Sequence, residues 1–206
     1  MSRKIRFLIA SGPTREPLDP VRYLSNYSTG TMGKCLVKAA MGKRHQVTWI
    51  ECPKKAETAL KLERILKRLL PKHDVLIMAA AVCDVRPHRV SGIKIKKEAL
   101  SNIQLTKNPD ILMSLSSMKR KNQIFVGFGL ESENLLKNGF KKLKQKNLDL
   151  IVLQKVTNKI NPFGDKLINA FLLAGTEDIK TYRSIHKQKL AKLIIEMAGK
   201  LAEERL

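Results

Sequence analysis

Val75-Leu-Ile-Met-Ala-Ala-Ala81 is an unbroken apolar run that leads into Cys83-Asp84. A strand with one wet face alternates apolar and polar residues. A strand of a parallel sheet covered by helices on both sides reads instead as a continuous apolar stretch. Residues 75–81 are therefore expected to form a central strand of such a sheet, and the rest of the chain can be read outward from it.

Toward the N-terminus, Leu62, Ile65, Leu66, Leu69 and Leu70 make an apolar helical stripe that ends before Pro71, and Val47 to Ile50 reads as a strand. Thr31 to Gly42 places Met32, Leu36, Ala39 and Ala40 on one helical face, with Thr29 or Thr31 near the N-cap. Ile5 to Ala10 is a buried first strand ended by Ser-Gly-Pro. The segment 14–31 has no period and contains Pro17, Pro20 and Gly30, so it is expected to be a long ordered loop, a length usually reserved for function.

Toward the C-terminus, residues 86–106 are basic, contain Pro87 and Gly92, and read as a mobile flap with a small strand over Asn102 to Leu105. Pro109 is expected to open a helix to Met118. A strand over Ile124 to Phe128 precedes a helix from about Glu131 to Asn147 with Leu136, Phe140 and Leu143 inward. Leu148 to Leu153 is a further strand, Leu167 to Leu173 an antiparallel one, and Arg183 to Glu204 a final helix using Leu190, Leu193, Ile194, Met197 and Leu201. The alternation predicts an α/β fold: a Rossmann-like, doubly wound, mainly parallel sheet with helices on both faces, in a single domain over 1–206.

The totals agree with a folded chain. Hydrophobic residues are 43% and charged ones 28% of 206 residues, unlike a disordered protein. The apolar runs fall far short of the roughly 20 residues of a membrane span, and the Met1-Ser-Arg-Lys start lacks the apolar segment of a secretory leader, so no membrane association and a cytoplasmic location are expected. Cys35, Cys52 and Cys83 are odd in number and lack metal-ligand spacing, which argues against a disulfide framework or zinc site. Cys83 beside Asp84 is a poor nucleophile, since the carboxylate disfavours the thiolate. Forty Lys and Arg against eighteen Asp and Glu give +22, a surface that attracts polyanions. The charge is spread along the whole chain with few aromatics interleaved, so nucleic-acid binding is not the expectation.

In a doubly wound sheet, ligands bind beyond the carboxyl ends of the strands, where the strand order reverses. Ser11-Gly-Pro-Thr-Arg15, Ala79-Ala-Ala-Val-Cys-Asp84 and Gly127-Phe-Gly-Leu-Glu-Ser132 fall there. Gly12 permits close approach of backbone N–H groups to an anion, and the helix starting near Thr31 adds its positive end. The same turn is equally a tight exit from a strand. Neither a Gly-x-Gly-x-x-Gly dinucleotide signature nor a P-loop is present. Lys142 and Lys146, four apart on a helix, suit either a triphosphate or a solvated face. Lys94-Ile-Lys-Lys97 suits either closure over a ligand or protection of a sheet edge.

The stretch Ser11-Gly-Pro-Thr-Arg-Glu-Pro-Leu-Asp-Pro-Val-Arg-Tyr-Leu-Ser-Asn-Tyr-Ser-Thr-Gly-Thr-Met-Gly33 closely resembles the opening motif of phosphopantothenate-cysteine ligases. Ala79–Asp84, Lys94–Lys97, Lys107-Asn-Pro-Asp-Ile111, Val126-Gly-Phe128 and Lys146-Asn-Leu-Asp-Leu-Ile151 follow in the family's order. The likeness spans nearly the whole chain, without the flavin-containing decarboxylase domain often fused to it, so a free-standing ligase is expected.

The resemblance implies a CTP-dependent ligation of 4'-phosphopantothenate to L-cysteine in coenzyme A synthesis, with Mg2+ on the triphosphate and a homodimer whose sites are shared between subunits. ATP in place of CTP is the variant reading. Residue by residue, it implies catalytic roles for Asn26, which would help turn the acyl-cytidylate into product, and for Lys94, which would neutralise the phosphate during activation. It assigns nucleotide contacts to Gly12, Ala80, Ala81, Asp84, Lys94, Asn108, Pro109, Asp110, Ile111, Phe128, Lys142 and Lys146; it names no metal ligand. This chain departs from the family pattern between Glu51 and Glu57, which is short, at Cys83, at Leu153-Gln-Lys-Val156 and at Pro162-Phe-Gly-Asp-Lys166.

Overall fold

The computed structural model describes residues 4–175 and 178–205. The first three residues, part of the start read above as leaderless, lie outside them. The strands are β1 (Arg6–Pro13), β2 (Arg15–Pro17), β3 (Tyr23–Ser25), β4 (Gln46–Glu51), β5 (Val75–Ala81), β6 (Val85–Pro87), β7 (Leu105–Lys107), β8 (Ile124–Glu131), β9 (Leu150–Lys155), β10 (Ile168–Ala174) and β11 (Asp178–Ile185). The helices are α1 (Thr31–Gly42), α2 (Ala59–Leu69), α3 (Ile111–Ser116), α4 (Leu135–Gln145) and α5 (Lys187–Arg205), with short 3-10 turns at Leu70–Lys72 and Lys97–Ser101.

Seven strands form the main sheet in the order β11-β10-β9-β8-β5-β1-β4. The β4-β1-β5-β8-β9 portion is parallel, and β10 runs antiparallel to both neighbours. Numbered along the chain, the parallel strands lie in the order 2-1-3-4-5, the flavodoxin-like version of the doubly wound plan. The order reverses between β1 and β5. Val75 to Ile77 are fully buried, as the continuous apolar run requires.

Alternation along the strands builds two cores. Phe7, Ile9, Val75, Ile77 and Val126 face α1 and α5, whereas Leu8, Ala10, Leu76, Met78 and Phe125 face α2, α3 and α4. α1 sits so close to β1 that a Cβ on Gly33 would fall 2.0 Å from the Ser11 Cβ. Gly12 takes φ +84, and a Cβ there would meet the Cys52 carbonyl oxygen at 2.3 Å. Two buried ionic junctions pin strand starts. Asp74 accepts from the Arg6 backbone N–H and guanidinium, and Asp149 receives the Phe125 N–H, the Lys119 ammonium and Arg205.

Several boundaries differ from the sequence reading. The expected loop 14–31 contains the β2/β3 hairpin, whose two short strands are hidden by Pro17 and by exposed Tyr23. Gly30, not a threonine, occupies the N-cap of α1, and no side chain caps it. α3 begins after Asp110, whose carboxylate accepts from the Met113 N–H at 3.1 Å, so Pro109 precedes the cap. β8 runs on to Glu131 and α4 starts only at Leu135, which turns Leu135 inward and leaves Leu136 exposed. The small strand expected over 102–105 lies at Leu105–Lys107 and pairs with β6, framing the flap. Arg183 to Ile185 complete the charged edge strand β11, whose mostly exposed pattern hid it, so the last helix begins at Lys187. Among the described residues no helix is long and apolar enough to cross a membrane.

Overpacking a tight helix-strand contact costs about 1–3 kcal/mol. Gly33→Ala is therefore expected to lower stability by about that amount, read as an earlier urea midpoint. Gly42→Ala, where an added Cβ meets nothing within 4 Å, is expected to be neutral or to gain up to about 1 kcal/mol in helix propensity.

Candidate ligand pocket at the reversal of the sheet

A cavity of about 520 Å3 opens at the carboxyl ends of β1, β5, β8 and β9. Its size is that of ordinary small-molecule sites. α1 and α4 pack on opposite faces of the sheet, so the cavity straddles the sheet edge and is walled by both. All the site residues expected from the sequence line it except Gly12 and Lys94.

On the α1 side, Tyr27 to Gly33 wrap the first turn of the helix. The turn carries no acidic residue and no side-chain cap, and Thr29 and Thr31 bond each other through their hydroxyls at 2.8 Å. Its backbone N–H groups and the positive end of the helix dipole therefore point at the cavity mouth without a carboxylate to quench them, the standard arrangement for an anion. Gly12 lies beneath this turn, its Cα 3.5 Å from where a Gly30 Cβ would be, and shapes the site from outside the cavity.

On the α4 side, the four-residue spacing brings Lys142 and Lys146 to one wall. Lys142 pairs with Glu131, and the Lys146 ammonium lies 2.8 Å from Asp110. Burial opposes ionisation of Glu131, but hydrogen bonds from Lys142 and Asn138 outweigh it and hold the carboxyl below its ordinary range. The lysines are thus extended toward the cavity rather than splayed into solvent.

Between the walls, Asn26 donates to the Ala81 and Val82 carbonyls at 3.3 and 3.0 Å, tying the loop to the end of β5. The Asn108 amide donates to the Cys83 carbonyl at 2.9 Å and its oxygen accepts from Arg86 at 3.1 Å, which fixes the side chain at the cavity wall and leaves one N–H and one lone pair open. Phe128 and Ile111 supply apolar lining, and Asp84 is exposed at the rim. Cys83 is buried, which pushes its thiol up, and its Sγ lies 3.8 and 3.7 Å from the Thr14 and Leu24 carbonyl oxygens, either of which can accept its one proton.

Lys94 stands apart, exposed on the flap and outside its own chain's cavity. The flap is anchored at its middle. The buried Asp19 carboxylate accepts from the Ile95 N–H at 3.1 Å and from the Val21 and Arg22 amides, Arg22 donates to the Ile95 carbonyl, and the Ser91 N–H reaches the Leu18 carbonyl. The flap, expected to be mobile from its composition, is thus tied to the β2–β3 turn at Ser91 and Ile95. The Arg22 guanidinium holds the Asp19 carboxyl well below the usual carboxylate range.

Further residues line the cavity beyond the set expected from the sequence, among them Gln154, Phe163 and Lys187. Lys187 is buried and donates to the Pro162 carbonyl at 2.6 Å and to that of Gly164, clasping the loop that carries Phe163; burial pushes its ammonium down. Gln154 and Phe163 fall in the two late segments where this chain departs from the ligase pattern, and the position of Gln154 at the carboxyl end of a strand was the available signal.

The chain matches, over residues 2–201, the model of the family described as DNA/pantothenate metabolism flavoprotein C-terminal domain. It belongs to that family. Among curated relatives, the coenzyme A biosynthesis bifunctional protein CoaBC of Borreliella burgdorferi is 36% identical over 206 residues, 93% of this chain and 52% of the relative. The protein of the same description from Escherichia coli K12 is 34% identical over 209 residues, 94% and 51% respectively. The chain thus spans about half the length of the curated relatives it matches. A solved C-terminal domain of CoaBC superposes with a TM-score of 0.79 at 26% identity, covering 99% of this chain and 98% of that one. A Cab2 variant in complex with phosphopantothenate-cysteine shares the fold, with a TM-score of 0.70 at 18% identity and 98% and 87% coverage.

Because the Asp19 carboxyl is held below its unfolded value near 3.9, its contribution is present above that value and is lost as pH falls through the lower folded one. The flap anchor is therefore expected to persist at pH 4, checked by slow hydrogen exchange of the Ile95 amide. Asp19→Asn is expected to speed that exchange at neutral pH while the amides of β5 stay protected.

Proposed function

We propose that this chain is a cytoplasmic phosphopantothenate-cysteine ligase that uses CTP. The observation that carries the reading is one cavity in which the Lys142/Lys146 pair and the uncapped first turn of α1 meet from opposite faces of the sheet. Two cationic walls over an apolar floor suit a triphosphate joined to an organic carboxylate. Membership of the family and the likeness to a CoaBC C-terminal domain support it.

In the first step a carboxylate oxygen of 4'-phosphopantothenate attacks the α-phosphorus of CTP, the bond to the β-phosphate breaks, and pyrophosphate leaves. Lys142 and Lys146 would exchange Glu131 and Asp110 for phosphate oxygens, so positive groups already in place meet the growing charge. In the second step the amine of cysteine attacks the acyl carbon, the bond to CMP breaks, and the amine loses a proton. The amide hydrogens of Asn26 go to main-chain carbonyls, which leaves its oxygen as the group offered to substrate. That oxygen would hold an N–H of the incoming amine, a role for the second step.

Among the described residues no cluster of three or more His, Cys, Asp or Glu can hold a metal ion. Mg2+ would come with the triphosphate, since such ions are commonly held by substrate phosphates with one or two carboxylates.

The flap supports a homodimer. Val90, Ile93 and Leu105 on it, with Val21 and Tyr23 of the adjoining hairpin, form an exposed apolar surface, Ile93 being 79% exposed. A second copy covering this surface would bring Lys94, idle in its own chain, to the partner's cavity for the activation step.

The direct test is pyrophosphate release by purified protein with 4'-phosphopantothenate and magnesium, with CTP or ATP, with and without cysteine. CTP-dependent release and cysteine-dependent amide product are expected; equal turnover on ATP would contradict the cytidine preference, and silence throughout the ligase itself. Asn26→Ala should still release pyrophosphate but accumulate acyl-cytidylate, and Lys94→Gln should lose the first step. Mixing the two variants under subunit exchange should restore product; no recovery would refute a shared site.

A further inference from the structure

Gln154 lies near the carboxyl end of β9, at the ligand edge of the sheet. It is 8% exposed, and its Nε2 has no hydrogen-bond partner, the one buried side-chain polar atom so placed among the described residues. A buried amide hydrogen without an acceptor is a standing cost to a fold, and such groups are rare enough to need a reason. Its neighbours do not supply one, but the cavity it lines does.

Alternation along β9 sends Ile151 and Leu153 to the α4 side and Val152 to the side of α1 and α5. Gln154 therefore shares the second side with Phe128 and with α1. Its carboxamide and the uncapped, acid-free first turn of α1 are donors of independent origin that line one cavity from the same side of the sheet. A helix end alone attracts anions in general; an orphaned side-chain donor beside it defines a particular acceptor.

We propose that Gln154 is a substrate-contacting residue whose carboxamide donates a hydrogen bond to an oxyanion held over the first turn of α1. The inference rests on the cavity being the ligase site. The oxyanion is either a phosphoryl oxygen of the nucleotide or the carboxylate of cysteine, which share this chemistry. A neutral donor holds such an oxygen without adding an ion pair that must be separated when product leaves.

Two variants test it. Gln154→Leu fills similar space without a donor, and Gln154→Glu replaces the donor with an acceptor and a charge. Kinetics are measured with CTP, 4'-phosphopantothenate and cysteine varied in turn, and thermal midpoints without substrate. Loss of a hydrogen bond to a charged group is worth about tenfold to a hundredfold in binding. Gln154→Leu is expected to raise the KM of one substrate by that factor, with its midpoint unchanged or higher because the orphan donor is gone. Gln154→Glu should be worse for the same substrate. A rise confined to CTP assigns a phosphoryl oxygen, and one confined to cysteine assigns its carboxylate. Unchanged KM for all three, or a uniform fall in kcat alone, overturns the proposal. Should the wild-type protein turn over nothing, the ligase reading fails by itself. Calorimetry with pyrophosphate and with L-cysteine then decides Gln154: weaker binding of either by Gln154→Leu supports it, and equal or absent binding overturns it.

Discussion

The closeness of α1 to β1 governs the ligand edge of this fold. With glycine at 33 the helix settles against Ser11, whose hydroxyl accepts from the Trp49 indole at 2.8 Å and is thereby fixed in turn. That contact sets the height of the first helical turn above the strand ends, at the place where the sheet order reverses. The Gly12 backbone, in a conformation that side chains rarely adopt, lets β1 turn away beneath it toward the hairpin that carries Asn26. A larger residue at either glycine would displace an anion-binding turn, not only loosen a core.

Much of this arrangement was legible in the sequence because the physics behind it is local. The apolar run 75–81 announces a strand buried on both faces, and the stripe of α2 announces a helix, since both signals come from periodic burial. The stretches that misled are those where burial is not periodic. β11 is an edge strand exposed along most of its length, and the β2/β3 hairpin has three-residue strands, one of them ending in proline. Main-sheet register and the end of β8 depend on pairing with β9, a contact distant in sequence.

The pocket residues divide in the same way. Asn26, Asp110, Phe128 and Lys146 sit within contiguous motifs, Lys142 lies one helical turn from Lys146, and all five reach the cavity. Lys94 sits in such a motif too, yet the fold of a single chain carries it elsewhere, because the flap is anchored to Asp19 rather than to the pocket rim. Gln154 lay in a segment that stood out only as a departure from the family pattern, and Lys187 lay outside any motif; their proximity to the rest is created by strand order and by the docking of the last helix. The large positive charge said least about position, since what matters at the cavity is the handful of lysines that Glu131, Asp110 and backbone carbonyls hold in place.

The docking of α5 also bears on how the chain is made. Leu190, Ala191, Ile194, Ile195, Ala198 and Ala202 seal the face of the sheet that α1 only partly covers, and they follow every strand of that sheet along the chain. A chain emerges N-terminus first during synthesis, so the elements of the opposite face, α2, α3 and α4, are all made while this one stays open to water. A nascent chain stalled short of residue 187 presents Ile9, Ile77, Val126 and Val152 as a sticky, strand-backed surface. Chaperone demand during translation should therefore be concentrated in the interval before α5 emerges.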